Sequence, residues 1–250
     1  MTVLVRLGRL VFRYRNSVAP VIFLAVLVVC TPRHMMGSAA VDQWMDLAGA
    51  LVVLLGLGAR AVTIGYEYIV RGGRNRQVYA DKLVQGGIYG LTRNPMYVGN
   101  GLIAIGCALI VNAWLFYLVA LPLTFLLYAS IIAAEEAFLR GKFGAEFDEY
   151  CARVHRILPR LTGFRQATEG MHFNWRRVLV KDYTTIFHSI AAVLVLSFWD
   201  DYRIMGDAGL PNLQTVLAVG IPWLLLYGLV WGLKKTRRLE GDPERRPHTA

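Results

Sequence analysis

Charge is scarce in this sequence. Aspartate, glutamate, lysine and arginine make up 18% of its 250 residues, while apolar residues make up 56%. Soluble domains average about 25% charged, and mean hydropathy here is positive, at +0.43. This excludes a disordered chain and argues against a water-soluble enzyme. Cysteine is scarce too. Cys30, Cys107 and Cys151 stand far apart with no Cys-x-x-Cys or Cys/His spacing, which argues against a disulfide framework or a zinc site. The sequence shows no Ser/His/Asp triad, phosphate-binding glycine loop, metal-ligand set, internal repeat or low-complexity segment. Acidic residues are the minority charge, 17 against 27 lysines and arginines, for a net +10 and a pI of about 9.8. Basicity alone would suggest a nucleic-acid partner. The hydropathy makes an anionic membrane surface the better one, and no nucleic acid is needed to explain the charge.

Several long stretches carry no charge at all: 16–32, 94–134, 183–199 and 208–233, with 47–66 interrupted only by Arg60. A helix rises 1.5 Å per residue, so about 20 residues cross a hydrocarbon core of about 30 Å. The 94–134 stretch is too long for one span. Asn112-Ala113 is a natural turn, dividing it into a hairpin of 95–111 and 114–134. The reading is an all-α, polytopic integral membrane bundle of about six spans. The run of Arg6, Arg9, Arg13 and Arg15 before a short apolar segment resembles a secretory signal, but Arg33 and His34 make a poor cleavage region, so a retained anchor is expected. Of the 27 basic residues, 24 flank the spans on one side and two, Arg33 and Arg203, on the other. The positive-inside rule then puts both termini and both long loops in the cytoplasm, as in a bacterial inner membrane. Arg60, some six residues from the cytoplasmic end of the second span, is expected to snorkel to the interface.

Three cytoplasmic clusters hold the candidate chemistry. Gly86-Gly87-Ile88-Tyr89-Gly90 precedes Arg93-Asn94-Pro95-Met96-Tyr97, in which Asn94 suits an N-cap and Pro95 a first helical position. A helix N-terminus beside an arginine is a seat for a carboxylate or phosphate. Glu135 and Glu136 are placed at the end of the fourth span, where carboxylates oppose the helix dipole. Glu135 shares an apolar stripe with Ile132 and Leu139 and is expected to face inward. Glu136 is expected to pair with Arg140 and order the basic loop. Finally, Phe147, Tyr150, Cys151 and Val154 form the apolar face of an amphipathic helix, readable as one lying on the membrane. Glu149 and Arg153 can pair on its other side, and Tyr150, Arg153, His155 and Arg156 could face a site.

The ordered set Lys82-Leu83-Val84-x-x-Gly87-x-Tyr89-x-x-x-Arg93-Asn94-Pro95-Met96-Tyr97, then Glu135-Glu136-x-x-Leu139, Phe143-Gly144-x-x-Phe147-x-x-Tyr150, Val154 and Leu158-Pro159 resembles a known family. It is similar to the membrane-embedded isoprenylcysteine carboxyl methyltransferases and phospholipid (phosphatidylethanolamine) N-methyltransferases. The resemblance covers about a third of the chain, and its strength lies in the order of the set. It divides the chain into a two-helix anchor (1–81), a methyltransferase core (82–160) and a two-helix extension with a basic tail (161–250).

The resemblance implies S-adenosyl-L-methionine as methyl donor. Gly87, Tyr89, Arg93, Asn94, Tyr97, Glu135 and Glu136 would line its pocket, and Arg93 and Glu135 would carry the chemistry. Arg93 and the helix N-terminus suit a carboxylate, glutamate an ammonium or ribose, and tyrosines an adenine. The acceptor would be a lipid or prenyl-type molecule from the bilayer. Isoprenylcysteine enzymes usually have histidine where Asn94 stands, and phospholipid enzymes often lack an Arg93 equivalent, so the chain mixes the two patterns and leaves the acceptor open. Membrane sterol-reductase-type proteins that bind NADPH share a similar cytoplasmic segment, and the Glu135-Glu136 pair argues against them. A noncatalytic scaffold of the same fold is the remaining alternative; the retained polar positions argue against it.

Overall fold

Long charge-free runs become helices because a chain in hydrocarbon must satisfy its backbone N–H and C=O groups internally. The computed structural model describes residues 2–30, 38–66, 80, 82–209 and 213–236, and among these there is no strand. The helices are α1 (Val3–Phe12), α2 (Arg15–Val29), α3 (Ala39–Tyr66), α4 (Pro95–Val111), α5 (Leu121–Phe143), α6 (Ala145–Arg153), α7 (Phe164–Ala167), α8 (Trp175–Met205) and α9 (Leu213–Lys235). A π-helical turn, Phe116–Ala120, leads into α5 without a break. Arg33, Arg71, Arg74, Arg76 and the arginines beyond residue 236, all used in the charge count, and His34 of the proposed cleavage region lie outside the described residues.

The all-α membrane architecture is as expected. Four helical stretches are long and apolar enough to cross a bilayer: Ala40–Tyr66, Phe116–Phe143, Trp175–Arg203 and Leu217–Lys235. α1 and α2, bent by 93°, meet the same test only when taken together, and α4 is an apolar helix of 17 residues. The hairpin turn falls where the sequence put it. Asn112 adopts a left-handed conformation (φ 45°) at the C-cap of α4, a position asparagine tolerates. Its side chain is held from both sides: Nδ2 donates to Asp42 at 2.9 Å, and the Tyr117 hydroxyl donates to Oδ1 at 3.1 Å.

Glycines set the packing of α3 on α4. A Cβ at Gly49 would lie 2.7 Å from the Gly106 carbonyl oxygen, and one at Gly106 would lie 2.5 Å from that of Gly49. Gly56 and Gly99 repeat the arrangement, at 2.7 and 2.8 Å. Both pairs step by seven residues on each helix, so the seam holds an antiparallel heptad register, the period of a left-handed supercoil. Small residues let transmembrane backbones meet where hydrophobic driving force between helices is absent. Val53 and Leu57 of α3, Cys107 and Ile110 of α4, Phe116, Val26 and Leu27 of α2, and Leu196 of α8 close one core around this seam.

Arg60 does not snorkel. It is 8% exposed and turns inward to Asp182 of α8, which accepts from both Nε (3.0 Å) and Nη2. Nη1 donates to Asn100 of α4 at 2.5 Å, and Nη2 also donates to Thr185 at 3.2 Å. Gly99 leaves room for the arginine stem: a Cβ there would meet Arg60 Cγ at 2.5 Å. Within a bilayer a charge paired and hydrogen-bonded in the bundle interior is far cheaper than one facing lipid. This clamp joins α3, α4 and α8.

Two tests follow from the packing. Gly56→Ala and Gly106→Ala should each destabilise the protein in detergent by about 1–3 kcal/mol through overpacking. Gly58→Ala, where a Cβ would meet nothing within 4 Å, should be neutral or stabilising by up to about 1 kcal/mol. Equal melting temperatures for all three would refute the seam. Asp182→Asn or Arg60→Met should each cost about 3–5 kcal/mol by stranding a buried charge. The double variant should cost clearly less than the sum, and additivity would show that the two do not act as a pair.

Candidate functional site

The chain reaches α4 through a 3₁₀ turn, Gly87–Gly90, in which Gly87 has φ 57°, a conformation glycine adopts at little cost. Tyr89 is buried beneath it, and its carbonyl accepts the Tyr150 hydroxyl of α6 at 2.8 Å. After α6 the chain runs back beside this entrance and is stitched to it. Arg93 N–H donates to the His155 carbonyl (2.9 Å), Thr92 Oγ1 to that of Ile157 (3.0 Å), Asn94 Nδ2 to that of Arg156 (3.0 Å), and Arg160 N–H to that of Leu91 (3.1 Å). Pro95 opens α4 as expected, but Asn94 spends its amide on Arg156 and no side chain caps the helix. Residues 60 positions apart thus become neighbours, and Arg156 arrives beside the glutamates.

Glu135 and Glu136 do not end their helix. α5 continues to Phe143, so the expected conflict with the helix dipole disappears. The real cost is burial: the two carboxylates are 5% and 8% exposed, and a buried charge must be paired. Glu135 Oε1 accepts the Tyr97 hydroxyl at 3.1 Å, and the Tyr97 ring packs 5.8 Å from that of Tyr128. Glu136 takes a two-pronged contact from Arg156, Nε to Oε1 at 3.1 Å and Nη2 to Oε2 at 2.6 Å. Arg93 Nη1 adds a looser contact to Glu136 at 3.4 Å. The expected Glu136–Arg140 pair does not form. Arg140 bonds Asp148 at 2.7 Å instead, because a tertiary arginine with fork geometry outcompetes a helical neighbour.

Arg93 is the least satisfied member of the cluster. Nη1 donates to Cys151 Sγ at 2.5 Å, while Nε is buried and has no hydrogen-bond partner among the described residues. A guanidinium with a spare inward donor and one distant carboxylate is suited to take up an anionic group.

The α6 stripe packs inward rather than onto a membrane. Phe147, Tyr150 and Val154 are buried with Leu139 and Ala80, and Cys151 is half-buried beside them. Arg153 reaches Gln85 Oε1 at 2.7 Å and touches only the backbone carbonyl of Glu149. His155 is exposed and contributes its carbonyl. A shallow, open depression of about 390 Å³ lies at the 3₁₀ turn, with Leu91, two residues before Arg93, in its wall. Gly86, Gly87 and Gly90 line one side, and Arg160, Thr162 and Gln166 the other. A Cβ at Gly86 would meet nothing within 4 Å. The candidate residues therefore fall in two adjoining places. Gly87 is at the depression, where Leu91 accepts from Arg160, while Arg93, Asn94, Tyr97, Glu135 and Glu136 form the polar cluster. Thr162 and Gln166 lie past the sequence motif and gave no signal there.

Glu136→Gln should lower stability more than Glu135→Gln, because it leaves two arginines facing a neutral amide. Arg156 is 41% exposed at its side chain, so screening reduces the cost to about 1–3 kcal/mol. Melting in detergent checks the order, and a larger loss for Glu135→Gln would reverse the assignment.

Residues 45–146 match the family described as phospholipid methyltransferase. The nickel-cobalt-cadmium resistance protein NccN of Alcaligenes xylosoxydans xylosoxydans is 30% identical over 157 residues, 61% of this chain and 68% of that one. The cobalt-zinc-cadmium resistance protein CzcN of Cupriavidus metallidurans is 34% identical over 174 residues, 67% and 74% of the two chains. A probable protein-S-isoprenylcysteine O-methyltransferase of Oryza sativa subsp. indica is 30% identical over 126 residues, 47% and 63%. No solved structure matches. The chain belongs to the membrane-embedded family of isoprenylcysteine and phospholipid methyltransferases.

Proposed function

We propose that this protein transfers a methyl group from S-adenosyl-L-methionine to a lipophilic acceptor drawn from the bilayer, either an isoprenylcysteine-type carboxylate or a phospholipid amine. The observation that carries the reading is the buried Nε of Arg93 at the mouth of α4, which has no hydrogen-bond partner among the described residues; the turn that precedes it lines an open, glycine-rich depression. The family match supplies the reaction class. The metal-resistance names of two relatives state no reaction.

The residues present fit such a donor. Arg93 has donors to spare for a carboxylate, and Gly86 and Gly87 let a ligand approach the backbone. Tyr89, in the same turn, is the proposed seat of the nucleoside end. When bound, the donor supplies an electrophilic methyl on a sulfonium, so alignment of the acceptor is the main demand on the protein. Glu135, oriented by the Tyr97 hydroxyl, faces the ammonium or the acceptor. For an amine acceptor it would take the proton released; a carboxylate acceptor would need no base. Glu136 and Arg156 hold Arg93 in place, and Asn94 fixes the loop through the Arg156 carbonyl. The 24-to-2 distribution of basic residues supports both termini and this site on the cytoplasmic side of a bacterial inner membrane, where anionic head groups complement the basic loops.

Purified protein given methyl-labelled S-adenosyl-L-methionine and a membrane lipid extract should place label in the organic phase. Glu135→Gln should slow transfer to an amine by about 10²–10⁴-fold, the usual worth of a general base; weaker cofactor binding beside the slower transfer would place Glu135 on the ammonium, and unchanged binding would place it on the acceptor. No labelled lipid or prenyl product from the folded wild-type protein, across extracts of several sources, would refute the reading.

A further inference from the structure

The arginine-rich start of the chain is not a plain charged leader. It folds as α1, set at 93° to the helix that follows it, and its ten residues divide into three faces. Val5, Gly8 and Phe12 are buried. They seat α1 on α5, with Gly8 directly against the Ser130 carbonyl and beside Ala134. Val3, Leu7, Leu10 and, just past the helix, Tyr14 form a second stripe that is exposed, Val3 to 82% and Leu10 to 72%. Arg6, Arg9 and Arg13 form a third stripe, also exposed. At 100° per residue the basic stripe is centred about 100° from the buried one and about 100° from the exposed apolar one, which lies about 160° around the axis from the buried face. One face meets protein, one is apolar and free, and one is basic and free.

We propose that the two free faces of α1 form a docking surface for anionic lipid. The apolar stripe enters the acyl-chain boundary and the three arginines hold headgroup phosphates. Charge and position argue for this occupant. No acidic residue precedes Asp42 in the sequence, so nothing local in sequence neutralises the arginine stripe. α1 is set at 93° to the apolar α2 and sits on α5 in the turn just before Glu135, where that spanning stretch gives way to charged residues, which puts it at the bilayer surface. Apolar and basic stripes side by side are the composition of helices that lie in the interface, and clustered arginines beside a membrane attract anionic headgroups. The seat on Ser130 and Ala134 lies immediately before Glu135, so the docking surface and the buried glutamates share one end of α5. The surface stands apart from the reading of the reaction, and its test measures lipid contact rather than methyl transfer.

Leu10→Trp places a reporter on the apolar stripe, read as the difference from wild-type emission to remove the native tryptophans. The protein is reconstituted into phosphatidylcholine bilayers holding a minority of phosphatidylglycerol. Bromine is carried on the acyl chains of one lipid or the other at equal mole fraction. The added emission should be quenched by both, and about twofold or more strongly when the anionic lipid carries the bromine. Adding Arg6→Gln, Arg9→Gln and Arg13→Gln should abolish the preference while leaving quenching by brominated phosphatidylcholine. Absence of quenching, equal quenching by the two lipids with the arginines present, or a preference that survives their loss would each overturn the proposal. The first two comparisons need only the single variant, so the outcome does not depend on the folding of the triple one.

Discussion

Four glycines let the backbones of α3 and α4 touch, and that contact fixes the position of the polar groups gathered at the start of α4. Gly49 against Gly106 and Gly56 against Gly99 set both the spacing and the register of the pair. With the register set, Arg60 falls opposite Asn100, and Asp182 can reach in from α8 to meet it. Asn100 is one turn along α4 from Tyr97, so the clamp and the candidate site share a helix. The bilayer makes this arrangement strict. Apolar side chains gain little from leaving lipid for one another, so van der Waals fit and buried polar pairing carry the helix association.

Burial of charge is the second organising cost. Glu135 and Glu136 are enclosed two turns before the end of α5, and each has been given partners from elsewhere in the chain. The return segment after α6 exists in its observed path because four hydrogen bonds tie residues 91–94 to 155–160. That path delivers Arg156 to Glu136. Arg93 is then left with a thiol, a distant carboxylate and an idle inward donor. A half-satisfied buried network is costly unless a further group completes it, and this is the physical ground for proposing a ligand at the cluster.

The sequence revealed what depends on local composition. Charge-free runs marked the spans because hydrocarbon tolerates little else, Asn112 marked the hairpin turn, and the stripe of Ile132, Glu135 and Leu139 marked an inward carboxylate that the structure buries. It concealed what depends on distant partners. Arg60 read as a snorkelling residue because Asp182 lies 122 positions away. Glu136 read as a partner of Arg140 because helical spacing is visible and the return of residue 156 is not. α5 was cut short at its glutamates because charge signals a water boundary in a linear reading, whereas Leu139 is covered by α6. The glycine seam was hidden among 24 glycines, since a heptad on one helix means nothing until the facing helix shows the same step. α1 was counted as charge and not seen as a helix.

The central claim is that Arg93 receives the carboxylate of the methyl donor. A binding cycle tests it most directly, using S-adenosyl-L-methionine and its decarboxylated counterpart against wild-type protein and Arg93→Ala by calorimetry in detergent. Loss of the carboxylate and loss of the guanidinium should each weaken binding by about 1.5–3 kcal/mol. The double loss should cost little more than either alone, giving a coupling of similar size. Additive losses, or undiminished affinity in folded Arg93→Ala, would contradict the account.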